Sequence, residues 1–271
     1  MGKPRLLAEN FWSIAQFPGH SISTALYADS YKLGTARRGA LNTISPLNPT
    51  NILTVDLTLD RVRLADTLVL DRNSVAAGRR FQLVAKSDTA AVWPILEDVL
   101  PSDVVLGSSL NDAPHAIRTS EGAYIFSFAP VAASTFGITM WNDVVSDGKF
   151  GGAYLGLSYT PTWPRMPWDD EAAWADFDKV ARGVPDNDWR YGRSMTVRMM
   201  MDSEAEWNEL RKVRELAKRG HPVWVAPDSD KAERSGLFYL EGGSFAAPFS
   251  ERPQGRTVDL ELGEYHPLRP T

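Results

Sequence analysis

Side chains able to do acid, metal or nucleophile chemistry are sparse in this chain and far apart. The four histidines are His20, His115, His221 and His266, and none has a second ligand at metal-binding helical spacing. They read as surface or turn histidines. Carboxylates gather at Asp169-Asp170-Glu171 and at Asp228 with Asp230. A glycosidase pair is defined by the separation of two acids across a cleft, whereas adjacent acids at a helix start or in a turn follow from dipole and solvation effects. No nucleophile elbow, phosphate loop or dinucleotide fingerprint is present, and Gly148 to Gly152 reads as a tight turn between two strands. Cysteine is absent, which removes disulfides, thiol nucleophiles and thiolate metal sites together. The expectation is a non-enzymatic protein without catalytic residues, cofactor or metal.

Tryptophan is the more informative residue, with nine in the chain. Trp163, Trp168, Trp174 and Trp189 cluster in one region, and an indole offers a large apolar face with a single donor. Such rings anchor protein interfaces or stack on sugars, so these four are the candidate interface or carbohydrate residues.

The rest of the composition bounds the partners. With 29 basic and 34 acidic residues the formal charge is −5, too mixed for a nucleic-acid groove. No apolar run approaches membrane-spanning length, and none follows the charged start Met1-Gly-Lys-Pro-Arg5, so neither membrane insertion nor a cleaved signal is expected. Leu6 stands where a myristoylation signal wants Ser or Thr. At 271 residues the chain is long for one core, and two domains are the default.

The elements that must position these residues are mostly strands. Ser21 to Tyr27, Ile52 to Leu59, Ala65 to Leu70 and Arg80 to Ala85 read as short strands, and Leu53, Val55, Leu57 and Leu59 share one face. Trp93 to Pro114 reads as an insertion, in which Ile95 to Leu100 fits a helical turn or a loop. Strands resume at Ala123 to Phe128, Ser134 to Trp141 and Ala153 to Tyr159, rich in aromatic and β-branched residues. This spacing predicts a sandwich. Tyr159 to Trp168 holds three prolines and reads as a domain junction. Beyond it, Asp170 to Val180 fits a short helix. Ser194 to Met201, a helix over Asp202 to Arg219 and Gly220 to Ala226 then read as strand, helix, strand. Ser203 with Glu206 forms a capping box, and Trp207, Leu210, Val213 and Ala217 fall on one stripe. Gly236 to Glu241 and Thr257 to Leu262 complete the set. The fold class is therefore mainly β: residues 1–160 a β-sandwich, 161–169 a proline-rich junction, and 170–271 an α+β module with an antiparallel sheet and one helix.

Asn51-Ile-Leu-Thr-Val-Asp-Leu57, Ala65-Asp-Thr-Leu-Val-Leu-Asp-Arg-Asn73 and Gly152-Ala-Tyr-Leu-Gly-Leu157 resemble the discoidin-like, galactose-binding-like jelly rolls of tailed-bacteriophage tail-tip and fibre proteins, over roughly Leu6 to Tyr159. The disulfide of secreted discoidin domains is missing, and no sugar ligands carry over. Met195 to Met201, the Trp207 to Arg219 helix, Pro222 to Ala226 and Val258 to Glu264 look like the sheet-plus-helix modules of tail-tube, distal-tail and tail-tip proteins. The resemblance implies a structural component of a phage tail tip or baseplate, made in the host cytoplasm and carried in the virion. Its partners would be other tail proteins and copies of itself in a ring. The alternative is a carbohydrate-binding adhesin that contacts a host glycan. Met195, Met199, Met200, Met201, Trp224, Phe238, Phe245 and Phe249 look like more apolar surface than one helix covers, which is the reason for expecting assembly.

Overall fold

The computed structural model describes residues 4–7, 9–14, 20–22, 51–70, 80–86, 92–99, 109–110, 115–118, 123–142, 153–161, 163–164, 169–171, 194–201, 203–218, 223–232, 235–242 and 256–264. Its elements in chain order are β1 (Arg5–Leu7), α1 (Phe11–Ile14), β2 (His20–Ile22), β3 (Asn51–Leu70), β4 (Arg80–Lys86), β5 (Val92–Val99), β6 (His115–Arg118), β7 (Tyr124–Asn142), β8 (Ala153–Gly156) and β9 (Ser158–Tyr159). Then follow β10 (Trp163–Pro164), β11 (Asp169–Glu171), β12 (Ser194–Met201), α2 (Glu204–Lys218), β13 (Val223–Ala226), β14 (Gly236–Gly242) and β15 (Arg256–Glu264). Two compact units result: Glu9–Ser158 with Asp230–Arg234, and Met1–Ala8 with Tyr159–Ser229 and Ser235–Thr271.

In the unit that starts at Glu9, a seven-stranded sheet runs β2-β3-β7-β4-β5, with β6 added to β7 and β8 added to β3. β3 and β7 pair from Asn51↔Asn142 to Leu70↔Tyr124, interrupted between Thr58 and Arg63 and again between Ala65 and Thr67. A straight strand would separate Phe126 from Met140, fourteen residues on, by about 48 Å. Yet Phe81, which pairs with Met140, stacks on Phe126 with ring centroids 4.3 Å apart. The sheet must therefore fold over at the two interruptions, where extra residues bend the strands. This gives two layers facing one core, the sandwich expected from the sequence. That core holds Val55, Leu57, Phe81, Leu83, Phe126, Phe136, Ile138 and Leu155, all fully or almost fully buried. Where the sequence suggested two strands on each side, Asp60-Arg61-Val62-Arg63 and Ala129-Pro130 are the irregular middles of continuous strands.

α1 fills the sandwich with Phe11 and Trp12, exposed by 2% and 0%. The buried Asn10 caps it: Oδ1 accepts from the Trp12 N–H at 3.0 Å and from the Leu155 N–H at 3.2 Å. Arg63 holds the same segment, donating to Glu9 at 2.6 Å and to Asp60 at 2.9 Å. Farther along β3, Asp66 accepts from the Ser158 N–H and hydroxyl at 2.7 Å each and from the Thr67 hydroxyl at 2.9 Å. The predicted insertion at Trp93 is an edge strand instead of a helical turn: β5 pairs with β4 from Arg80↔Val99 to Lys86↔Val92. Its Pro94 sits at the register shift between Leu83 and Val84, where an edge strand tolerates a residue without a donor.

The other unit carries an eight-stranded sheet in the order β10-β12-β15-β14-β13-β1-β9, with β11 also on β12. Arg5–Leu7, at the chain's start, belongs here, with Arg5 opposite Ala226. Trp163 and Pro164 pair with Met200 and Met199, and Asp169 to Glu171 pair with Thr196 to Ser194, so these three acids lie in a strand and not at a helix start. Residues 172–180 of the predicted short helix lie outside the described residues. The segment read as strand, helix, strand forms as expected, but β12 and β13 are separated in the sheet by β15 and β14. α2 lies against β12, β13 and β14. Ser203 caps it, its hydroxyl accepting from the Glu206 N–H at 3.2 Å and its carbonyl from the Trp207 N–H at 3.2 Å. Glu204 and Glu206 favour the positive helix start. Leu210 and Val213, both 0% exposed, meet Val197, Val223, Val225, Phe238 and Leu260 in the core, while Trp207 and Tyr159 pack at its margin. Trp224 and Phe238, counted above among the apolar side chains in need of a cover, are buried within the chain. The side chains of the four β12 methionines, and Phe245 and Phe249, lie outside the described residues.

The helix is thus held at its middle. Leu210→Ala should destabilise the protein by about 2–5 kcal/mol, and the half-buried Trp207→Ala by less, when both are compared in urea denaturation. Equal costs would place the indole in the core.

On the outer face of the sandwich, Gly137 lies between Asp56 on β3 and Val84 on β4. A Cβ there would sit 2.8 Å from Val84 Cγ2, 3.0 Å from Asp56 Oδ1 and 3.0 Å from Lys86 Cε. Glycine is what lets the Lys86–Asp56 pair, at 2.5 and 2.6 Å, lie across β7. Gly137→Ala should cost about 1–3 kcal/mol by overpacking, measured by thermal unfolding. An unchanged melting temperature would show that the ion pair moves aside freely.

Candidate functional site

Alternation along each strand sends one set of side chains to the core and the other outward. In the layer built from β3, β7, β4 and β5 the outward set forms rows. Thr139, Gln82 and Glu97 line up across β7, β4 and β5. Asp56, Gly137 and Val84 form the next row, and Thr58, Thr135 and Lys86 the one after. On the other side of the first row, Trp141, the last residue but one of β7, lies beside Arg80. Neighbouring strands stand about 4.8 Å apart, and rows follow one another at about 6.8 Å.

The row ends carry the electrostatics. The Arg80 guanidinium carbon lies 4.6 Å from the Trp141 ring centroid, a cation–π contact. Its Nη2 donates to Glu97 Oε1, while the Gln82 amide reaches Glu97 Oε2 at 3.4 Å. Arg80 and Glu97 remain 54% and 46% exposed, and Trp141, Gln82 and Thr139 are half-buried. Farther along the face, the Thr58 and Thr135 hydroxyls lie 3.4 Å apart. An indole, a guanidinium, a carboxylate, an amide and a threonine hydroxyl thus meet on one stretch of sheet. That set can donate and accept hydrogen bonds and offer apolar area at once.

Of the four tryptophans singled out from sequence, Trp163 lies in β10 opposite Met200, and Trp168, Trp174 and Trp189 lie outside the described residues. His20 lies in β2 opposite Val55 and His115 in β6 opposite Ser127; His221 and His266 are outside the described residues. No group of three or more metal-ligating side chains forms among the described residues. Of the Asp228 and Asp230 pair, Asp228 is buried and Asp230 half-buried. Trp141 and Arg80 escaped the sequence reading because they stand at or next to the ends of two different strands. The alternation of β4, with Arg80, Gln82, Val84 and Lys86 on one face, was the signal that could have found Arg80.

Asp60 and Tyr159 are shifted for local reasons. The hydrogen bond from Arg63 holds the exposed Asp60 carboxyl below its ordinary range. Burial, with Glu206 and Glu209 adding repulsion, raises the Tyr159 phenol well above its own. The Tyr159 hydroxyl has no hydrogen-bond partner among the described residues. No helix among those residues is long and apolar enough to cross a membrane.

No family model matches the chain, and no curated protein does. Several solved structures do, at low identity. SpGH29 matches with a TM-score of 0.35 and 10% identity over 56% of this chain and 28% of that one, so the chain spans under a third of it. CBM32-3 from a family 31 glycoside hydrolase of Clostridium perfringens matches with a TM-score of 0.33 and 10% identity, over 56% of this chain and 94% of that one. Reduced XRCC1, bound to the DNA pol beta catalytic domain, matches at 0.30 and 11%, over 54% and 97%. The ligands and activities in their names belong to those proteins; the fold of this chain rests on its own strands.

Proposed function

We propose that this chain is a non-enzymatic carbohydrate-binding protein whose contact surface is the outer face around Trp141, Arg80, Gln82 and Glu97. One observation carries the reading: the guanidinium resting on Trp141 is tied to a carboxylate and neighboured by an amide, all partly exposed on a rigid sheet. A saccharide presents an apolar C–H face and a rim of hydroxyls that both donate and accept. The exposed part of the indole suits the first, and the polar row suits the second. Because these groups already hold one another in place, little ordering cost falls on binding.

A tail-assembly role keeps one supporting feature, the sheet with α2 across it, which has the pattern on which that expectation rests. A ring of copies, carried in a virion, would appear in light scattering of the full chain as a stable multiple of its mass. Saccharide binding and assembly are compatible, since a host-contacting adhesin on a virion would need both.

Titration calorimetry of the full chain against neutral trisaccharides of glucose, galactose and mannose tests the leading reading. At least one should bind, and Trp141→Ala should weaken it by about tenfold or more, as truncating an aromatic anchor does. Gln82→Ala, a milder change, should weaken it without disturbing the far-UV spectrum. Absence of binding to the whole panel at millimolar concentration would refute the proposal.

A further inference from the structure

We propose that Glu97 sets the specificity of this face and that its ligand is an uncharged saccharide; the inference rests on the carbohydrate reading above. The reason lies in how the charges pair. Among the described side chains of these rows four are ionic, and they cancel two by two: Lys86 with Asp56 at 2.5 and 2.6 Å, and Arg80 with Glu97. Asp56 and Lys86 close around Gly137, so neither reaches outward without breaking their pair. Arg80 is the cation that rests on the tryptophan, and one side of its guanidinium is already given to a carboxylate.

A hydroxyl can use what remains. Arg80 keeps further N–H donors, Glu97 keeps acceptor positions, and the Gln82 amide has both kinds of group. None of these contacts requires the Arg80–Glu97 pair to open. A sugar carboxylate meets a different surface. To reach Arg80 it must displace Glu97 or share the guanidinium with it, which sets two like charges side by side. Glu97 therefore rejects acidic sugars by occupying the site they would need, and it accepts neutral ones as a hydrogen-bond acceptor.

The discrimination is modest in size because the pair is about half exposed. Exposed ion pairs correspond to roughly a two- to fivefold change in an equilibrium, so the measurement belongs at low ionic strength, where screening is weakest. Matched trisaccharides supply the probe: galactotriose against trigalacturonate, mannotriose against trimannuronate, and cellotriose against its triuronate. The full wild-type chain should bind a neutral member more tightly than its acidic counterpart. Glu97→Gln keeps the shape and an acceptor, removes the charge and frees Arg80, so it should tighten the acidic member by about two- to fivefold while changing the neutral one less. Wild-type binding of the acidic member as tight as that of the neutral one, or an acidic affinity unmoved by Glu97→Gln, overturns the specificity role and leaves the saccharide reading standing. Failure of all six probes overturns both.

Discussion

The stack of Phe81 on Phe126 is the contact on which the first unit depends. Two strands of about twenty residues, paired along their length, would form a flat ribbon with one apolar face open to water. Burying that face requires another layer, and here the ribbon supplies its own by folding back. The bend sits where pairing lapses, at Leu59 to Val62 on β3 and Phe128 to Pro130 on β7. Folding brings the Leu68, Phe126 and Leu155 side of one half over the Val55, Phe81 and Ile138 side of the other. At about 25 cal/mol per Å² of apolar surface removed from water, ring-on-ring burial of this kind outweighs the few ladder hydrogen bonds lost at the bend.

Once the inner faces are fixed, the outer face has no freedom left. A one-residue slip of β7 against β4 would exchange Phe136, Ile138 and Met140 with Thr135, Gly137 and Thr139. The same core that holds the sandwich thus places Trp141 beside Arg80, Gln82 beside Glu97, and glycine under the Asp56–Lys86 pair. The polar face is a consequence of core register, so its geometry is as rigid as the sheet beneath it. That rigidity is what distinguishes it from charged side chains on a loop, which would have to be ordered by each ligand.

Much of this was legible in the sequence. Ser203 and Glu206 marked the start of α2, and the Leu210 and Val213 spacing marked its buried side. Alternation gave the first part of β3 its inward residues, Val55, Leu57 and Leu59, and the strand spacing gave the sandwich. The misreadings have physical causes. Asp60-Arg61-Val62-Arg63 and Ala129-Pro130 look like turns, because a strand seldom carries a charged run or a proline in its interior, and only the fold-over explains them. β5 hid behind Pro94 for the same reason, a proline that an edge position and a bulge permit. The pairing Arg80–Trp141 joins residues some sixty apart in sequence, and no local pattern announces it.

The first residues of the chain show why the units resist simple dissection. Arg5–Leu7 completes the eight-stranded sheet, and four residues after Leu7 the chain begins the helix that puts Phe11 and Trp12 into the sandwich. Asn10, between them, answers to two backbone donors of the sandwich, one of them in β8 at Leu155. A fragment that starts after this segment leaves a cavity where two large aromatic rings were and takes the Asn10 acceptor away from the buried Leu155 N–H. Each is a destabilisation of kcal/mol size. A fragment that keeps it carries β1 away from its partner β13. The chain also passes between the units at Ser158–Tyr159 and on either side of Asp230–Arg234. The sandwich and the sheet are therefore separate cores threaded by one chain, and the face around Trp141 is best regarded as a property of the whole protein.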